Sequence, residues 1–343
     1  MKDGHPVPSK SVVLTFDDGY LDNWVFAYPL LKKYGFQATI FLSLDFVDPE
    51  SRPRPNLEDV WRGEVEDSEL EAMGYLSWAE MNRMETDGVM DVQSHAMSHT
   101  WHFCADEIVD FHRPDDNYFW LEWNVRPHMK YKWMTSYSPE SVPYGYPVYR
   151  FDKSLCARKY FPDERVSGIL VDHVSSNGGV PFFNRPDWKQ QLLVLADEYK
   201  KRHSANGRLE TEAEYLSRVR EELAESKRLI EKNLAKKVDF LCWPGGGQNN
   251  TLHDIAWEQG YLASTVRGEK NCIYKTNCQH IDRTGLGFSF ESPTMNYIAN
   301  TDLYISSQLN RYRGDQLLGL LNKILYLPHR IWLLRHGGRR SLF

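Results

Sequence analysis

The chain has 343 residues, 41% of them hydrophobic and 26% charged, a composition that suits a folded globular protein and excludes a disordered or collagen-like one. Its length accommodates two ordinary domains, or one large α/β domain carrying insertions. With 41 Lys and Arg against 47 Asp and Glu the net charge is −6, so the chain has no global electrostatic footprint for nucleic acid. The five cysteines, Cys104, Cys156, Cys242, Cys272 and Cys278, are odd in number and none stands in CxxC spacing. That argues against a disulfide framework and for a reducing compartment. The opening Met1-Lys2-Asp3-Gly4-His5 holds no apolar signal core. No stretch of about 18 apolar residues follows, so the expectation is a cytoplasmic chain.

Residues 11–16, Ser-Val-Val-Leu-Thr-Phe, read as a buried strand that stops at Asp17-Asp18-Gly19. A helix is predicted over 22–34, with Gly35 as its stop signal, and a second strand over 37–43. Strand, helix, strand is the unit that makes parallel neighbours. The proline- and acid-rich stretch 48–67 reads as a surface loop. Ser77-Trp78-Ala79-Glu80 fits a capping box opening a short helix that ends near Gly88. Residues 89–93 form a third strand that runs into Ser94-His95. From 103 to 208 the alternation is lost, yet the aromatic content is too high for disorder, which marks a large insertion. Regularity returns at the capping box Thr211-Glu212-Ala213-Glu214. The helix after it carries Leu216, Val219, Leu223, Ile230 and Leu234 on one stripe. A strand at 238–243 ends at Pro244-Gly245-Gly246-Gly247. A helix from Thr251 is stopped by Gly260, and a further strand covers 261–266. The expected domains are a barrel-like α/β domain from 1–102 plus 209–300, the insertion 103–208, and a basic, apolar tail 301–343.

Three features fall at the C-terminal ends of expected strands, where parallel α/β folds build their sites: Asp17-Asp18, His95 with His99, and the Trp243-Pro244-Gly245 turn. Adjacent carboxylates point in different directions, so one can bind a cation while the other accepts a proton; a turn or helix cap is the plainer reading of Asp-Asp-Gly alone. His95 and His99, four apart, can reach a common ion; alone they also suit two surface-loop histidines. One carboxylate and two imidazoles make an open triad that leaves room for water and substrate. Such a set suits zinc without discriminating it from cobalt, nickel or iron.

Thr15-Phe16-Asp17-Asp18-Gly19 resembles the first motif of the polysaccharide deacetylases, carbohydrate esterase family four, the NodB-homology domain. Ser94-His95-Ala96-Met97-Ser98-His99 is similar to the second motif and Trp243-Pro244-Gly245-Gly246 to the third. Ala256-Trp257-Glu258-Gln259-Gly260-Tyr261 resembles the helix-to-strand segment that follows. The resemblance covers roughly residues 8–102 and 210–285. It implies a distorted (β/α) barrel of the polysaccharide deacetylase type, here interrupted by a large insertion. It implies one divalent metal ion, usually zinc, held by Asp18, His95 and His99. The implied reaction is hydrolysis of an acetyl group, N-acetyl more than O-acetyl, from a glycan, with Asp17 as base and a metal-bound water as nucleophile. A backbone N–H of the 244–246 turn would hold the oxyanion, and Trp243, Pro244 and Gly245 would line the substrate groove.

Two positions depart from the family. The third motif usually carries an arginine two residues before its proline to orient the base; here that residue is Cys242, and the expected substitute is Arg283 or Arg267 from another strand. The late Leu-x-His that supplies the general acid has no clear counterpart, His280 being nearest, then His253 and His329. These departures keep two alternatives open: a catalytically impaired sugar-binding domain, and a metal amidohydrolase acting on a non-sugar amide. The insertion is expected beside the strand C-termini, bringing Trp101, Trp120, Trp123, Trp133, Tyr144 and Tyr146 to a sugar groove or, equally, to a core of their own. The tail sets Leu317, Leu318, Leu320, Leu321, Ile324, Leu325 and Leu327 and then Ile331, Trp332, Leu333 and Leu334 among Lys323, Arg330, Arg335, Arg339 and Arg340. That composition suits peripheral contact with anionic lipid or a C-terminal helix packed on the barrel.

Overall fold

The computed structural model describes residues 11–136, 141–266, 279–283, 301–312 and 316–325. They fall into two compact units. One spans Val13–Ile281; the other includes Asp282, Arg283 and the C-terminal helices.

The first unit is mixed α/β, with a parallel sheet curled into a half-barrel. Strand β1 (Leu14–Asp18) includes both aspartates, so the strand starts and ends later than its hydrophobic run suggests. A wide helical turn, Asn23–Ala27, leads into α1 (Tyr28–Tyr34), which Gly35 ends at φ 69° as expected. Strand β2 (Ala38–Leu42) is almost wholly buried. The loop expected over 48–67 contains a short helix, α2 (Leu57–Arg62), opened by an Asn56–Asp59 capping box. Helix α3 (Trp78–Thr86) starts at the expected Ser77–Glu80 box, and β3 (Met90–Ser94) follows.

Next come a long strand β4 (Trp101–Phe111), a short helix α4 (Trp120–Val125), a 3₁₀ stretch Pro127–Lys132, and α5 (Trp133–Ser136). Strand β5 (Pro147–Lys153) pairs antiparallel with β4, through two irregularities of register. A short strand β6 (Tyr160–Phe161) pairs with β7 (Arg208–Leu209), and between them lie α6 (Glu164–Ser176) and α7 (Trp188–His203). Sequence periodicity did not resolve these helices, because each buries only a few side chains: Val166, Ser167, Leu170 and Val174 on α6, Leu192 and Ala196 on α7.

Helix α8 (Glu212–Leu234) buries Tyr215, Val219, Leu223, Ser226, Ile230 and Leu234. Tyr215 takes the place expected for Leu216, which is partly buried. Then come β8 (Phe240–Cys242), α9 (Asn250–Glu258), β9 (Ala263–Val266) and β10 (His280–Asp282). The sheet order is β1-β2-β3-β8-β9-β10. Neighbours run parallel from β1 through β9. The register aligns Asp18 with Leu42, Leu42 with Ser94, and Ser94 with Leu241. Four strands therefore deliver their C-terminal residues to one edge. The main core lies between this sheet and α1, α3, α8 and α9.

In the second unit α10 (Asp302–Tyr312) is followed by α11 (Gln316–Leu325). No helix of the described residues is long and apolar enough to cross a membrane.

Candidate metal-centred active site

The aligned edge of the sheet carries the site. Asp17 and Asp18 end β1, Ser43 follows β2, His95 follows β3, and Cys242 ends β8. One ligand atom each from Asp18, His95 and His99 lies within 4.8 Å of the others. His95 Nε2 stands 3.5 Å and His99 Nε2 3.6 Å from the same Asp18 oxygen, Oδ1. His95 is 2% exposed, and its Nδ1 bonds to the Cys242 carbonyl at 2.7 Å. A carbonyl can only accept, so Nδ1 carries the proton and Nε2 offers its lone pair to the centre.

The backbone is bent to make this arrangement. Asp18 (φ 67°), Ala96 (φ 59°) and His99 (φ 36°) all sit in the left-handed region. Gly19 follows at φ 80°, and a Cβ there would come within 2.6 Å of Leu42 Cδ1, which is why Asp-Asp is followed by glycine.

The electrostatics ask for positive charge at the centre. Burial works against charging His95, but Cys242 and then Asp17 and Asp18 outweigh it and push its pKa up to about 10. Burial drives His99 the other way, below the ordinary histidine value. The carboxylates of Asp17 and Asp18 thus favour positive charge beside His95, which a bound cation would supply. The donor set, one carboxylate oxygen and two imidazole nitrogens on one side of the pocket, fits such an ion.

Asp17 lies beside this set. Its Oδ2 is 3.9 Å from Cys242 Sγ, the residue in the place of the family's arginine. Asp17, His95 and Cys242 form a second group of donor atoms within 4.8 Å of one another. Arg283 belongs to the other compact unit, and Arg267 and His329 lie outside the described residues.

The third-motif turn differs from expectation. Trp243 is 2% exposed and belongs to the main core, so it does not present a wall to a groove. Its ring meets that of His253 edge-on at 5.2 Å, and His253 lies 4.3 Å from the His280 ring. Pro244 is buried and Gly245 is exposed. Pro244 has no N–H, and the Gly246 N–H is given to the Trp243 carbonyl. That narrows the oxyanion donor expected from this turn to the Gly245 N–H.

The aromatic residues of the insertion are also placed differently from a groove lining. Trp120 and Trp123 are 3% and 5% exposed and make a core with Phe46, Tyr75 and Val148. Trp133 packs on that core and donates Nε1–H to the Tyr75 hydroxyl at 2.6 Å. Tyr144 packs against a separate cluster around Phe111 and Leu170, while Tyr146 joins the first. Trp101 alone of the six rings approaches a ligand, edge-on to His99 at 6.1 Å. Because Phe46 and Tyr75 stand on barrel loops, this aromatic core fastens 103–208 to the edge that carries the site.

Four residues of the site were not singled out in sequence. Tyr20 hydrogen-bonds Asp18, and burial together with the Asp18 charge pushes its hydroxyl pKa up. Ser43 donates to Asp18 Oδ1 at 3.3 Å. Lys130 and Glu222 grip the loop before His99. Adjacency to the Asp-Asp-Gly motif could have flagged Tyr20, and a strand-end position Ser43; nothing local marks the other two.

Residues 4–132, which hold Asp17, Asp18, His95 and His99, match the polysaccharide deacetylase family model. Over that stretch, somewhat more than a third of the chain, the sequence is similar to a polysaccharide deacetylase domain. A 33-residue segment, 10% of this chain, is 67% identical to YxkH of Bacillus subtilis, whose name places it provisionally among the polysaccharide deacetylases. The matched segment spans 12% of that relative's length. Among solved structures, the deacetylase domain of BpsB from Bordetella bronchiseptica is similar at a TM-score of 0.45 and 17% identity, over 82% of this chain and 72% of that one. The de-N-acetylase of Aggregatibacter actinomycetemcomitans gives the same values. IcaB from Ammonifex degensii gives 0.39 and 14%, over 82% and 69%.

Proposed function

We propose that this chain removes an acetyl group, N-acetyl in preference to O-acetyl, from a glycan, with one divalent cation, zinc, held by Asp18, His95 and His99. The observation that carries the reading is the convergence of those three donors beside a second carboxylate, Asp17, at one sheet edge. When bound, the cation would polarise the acetyl carbonyl and make water nucleophilic at neutral pH. Asp18 supplies charge, and the two imidazoles supply neutral donors aimed by their backbone. Asp17 accepts the proton of the attacking water. Cys242 Sγ stands where an arginine would orient that carboxylate, and its S–H is a weak donor to Asp17 Oδ2. The Gly245 N–H is offered to the oxygen that gains charge. Asp17, once protonated, can return the proton to the leaving amine, so one residue serves both proton transfers without a late histidine.

Acetate release from N-acetylglucosamine oligomers tests this reading. Release is expected from the full chain, lost on chelation and restored by zinc. Release that survives complete metal removal would sink it. Release from O-acetylated glycans alone would move the substrate to esters. The exchange of the orienting arginine for Cys242 favours one other reading, a catalytically impaired sugar-binding domain; oligomer binding without acetate release would identify it. For residues 301–343 the reading includes peripheral contact with anionic lipid.

A further inference from the structure

Lys130, from the insertion, is buried to 1% of its side-chain surface, where an unpaired ammonium would be expensive. Its Nζ is 2.9 Å from Asp45 Oδ2, on the loop after β2, and donates to the Ser98 carbonyl at 2.6 Å. Ser98 is gripped by a second side chain as well. Its N–H and its hydroxyl both donate to Glu222 Oε1 on α8, at 3.1 and 2.7 Å. The same loop is pinned further along its length, since the Asp45 N–H bonds to the Met97 carbonyl at 3.0 Å.

The Ser98 carbonyl belongs to the peptide unit that enters His99, and the Ser98 N–H to the one before it. Both units flanking Ser98 are therefore fixed by hydrogen bonds from side chains in distant parts of the chain. His99, next in sequence, is held at φ 36°, a conformation a non-glycine residue adopts only when its surroundings impose it. We infer that Lys130 is a positioning residue: with Asp45 and Glu222 it holds the Ser98–His99 peptide so that His99 Nε2 faces Asp18 and His95, making the insertion a working part of the metal site. This rests on the proposed metal-dependent reading, and it assigns the insertion a role distinct from contact with sugar.

Cobalt(II) binding by the metal-stripped full chain, followed by calorimetry and visible absorption, tests it alongside thermal melting. Lys130→Met should keep the fold, weaken cobalt binding about 10-fold or more, as loss of support behind a ligand does, and alter the absorption spectrum because His99 is misplaced. Asp45→Asn, which keeps volume and removes the counter-charge, should shift affinity in the same direction by less. A folded Lys130→Met with wild-type affinity and spectrum overturns the inference. If both variants fail to fold, the ion pair is a folding element and the positioning role is likewise overturned. A wild-type chain that binds no cobalt instead overturns the metal reading itself, a result the variants are not needed to see.

Discussion

At the scale of single residues, the site is where ordinary backbone preferences are set aside. Asp18, Ala96 and His99 all have positive φ, each costing about 1–2 kcal/mol in a non-glycine residue. Such strain survives where surrounding contacts over-determine the conformation. Asp17 and Asp18 are neighbours with separable duties, and substitution should part them. Asp17→Asn is expected to leave cobalt affinity unchanged and cut acetate release about 10²–10⁴-fold, the worth of a positioned base. Asp18→Asn should lose the metal. Retention of near wild-type turnover by Asp17→Asn would make Asp17 structural. Gly247 is a sterically demanding position of another kind: a Cβ there would come within 2.6 Å of both Cys156 Sγ and Lys153 Cδ. Gly247→Ala should cost about 1–3 kcal/mol in urea unfolding, by overpacking the turn against β5. An unchanged midpoint would show that the turn relaxes freely.

At the scale of elements, two capping boxes of the same design differ in consequence. Thr211 and Glu214 close α8 at the surface. Ser77 and Glu80 close α3, but Glu80 is also fully buried and pairs with Arg54 through both carboxylate oxygens. Thr211→Ala should cost about 1 kcal/mol, the usual worth of a cap. Glu80→Ala should cost about 3 kcal/mol, near the lower end for breaking a buried pair, because Asp48 remains beside Arg54. Thermal melting ranks the two, and equal losses would mean that the Arg54 pair contributes nothing net. Both caps were legible in sequence, since a box is a local pattern of four residues. The double duty of Glu80 was not, because Arg54 is 26 positions away.

At the scale of the whole molecule, the barrel edge, the insertion and the tail carry separate expectations. Leu317, Leu320 and Ile324 recur at helical spacing on α11 and are 79%, 57% and 57% exposed. In sequence they precede a run rich in arginine, which attracts anionic lipid. In low salt the full chain should float with anionic vesicles, and a chain ending at Arg313 should stay behind. Equal behaviour of the two would remove membrane contact from the reading.

The amino-acid sequence by itself determined the alternation of strands and helices on both sides of the insertion, and the location of Asp17, Asp18, His95 and His99 at strand ends. Those signals are local: hydrophobic runs, caps and residue types a few positions apart. Tertiary structure alone decided which side chains face the centre. The Cys242 carbonyl selects the His95 tautomer from 147 positions away. Burial turned Trp243 and two of the insertion's tryptophans from groove lining into core. Lys130 and Glu222 reach the same serine from 32 and 124 positions away. None of these follows from spacing, because burial and orientation are properties of neighbours in space, and the chain brings those neighbours together only when the sheet curls and the insertion folds back upon it.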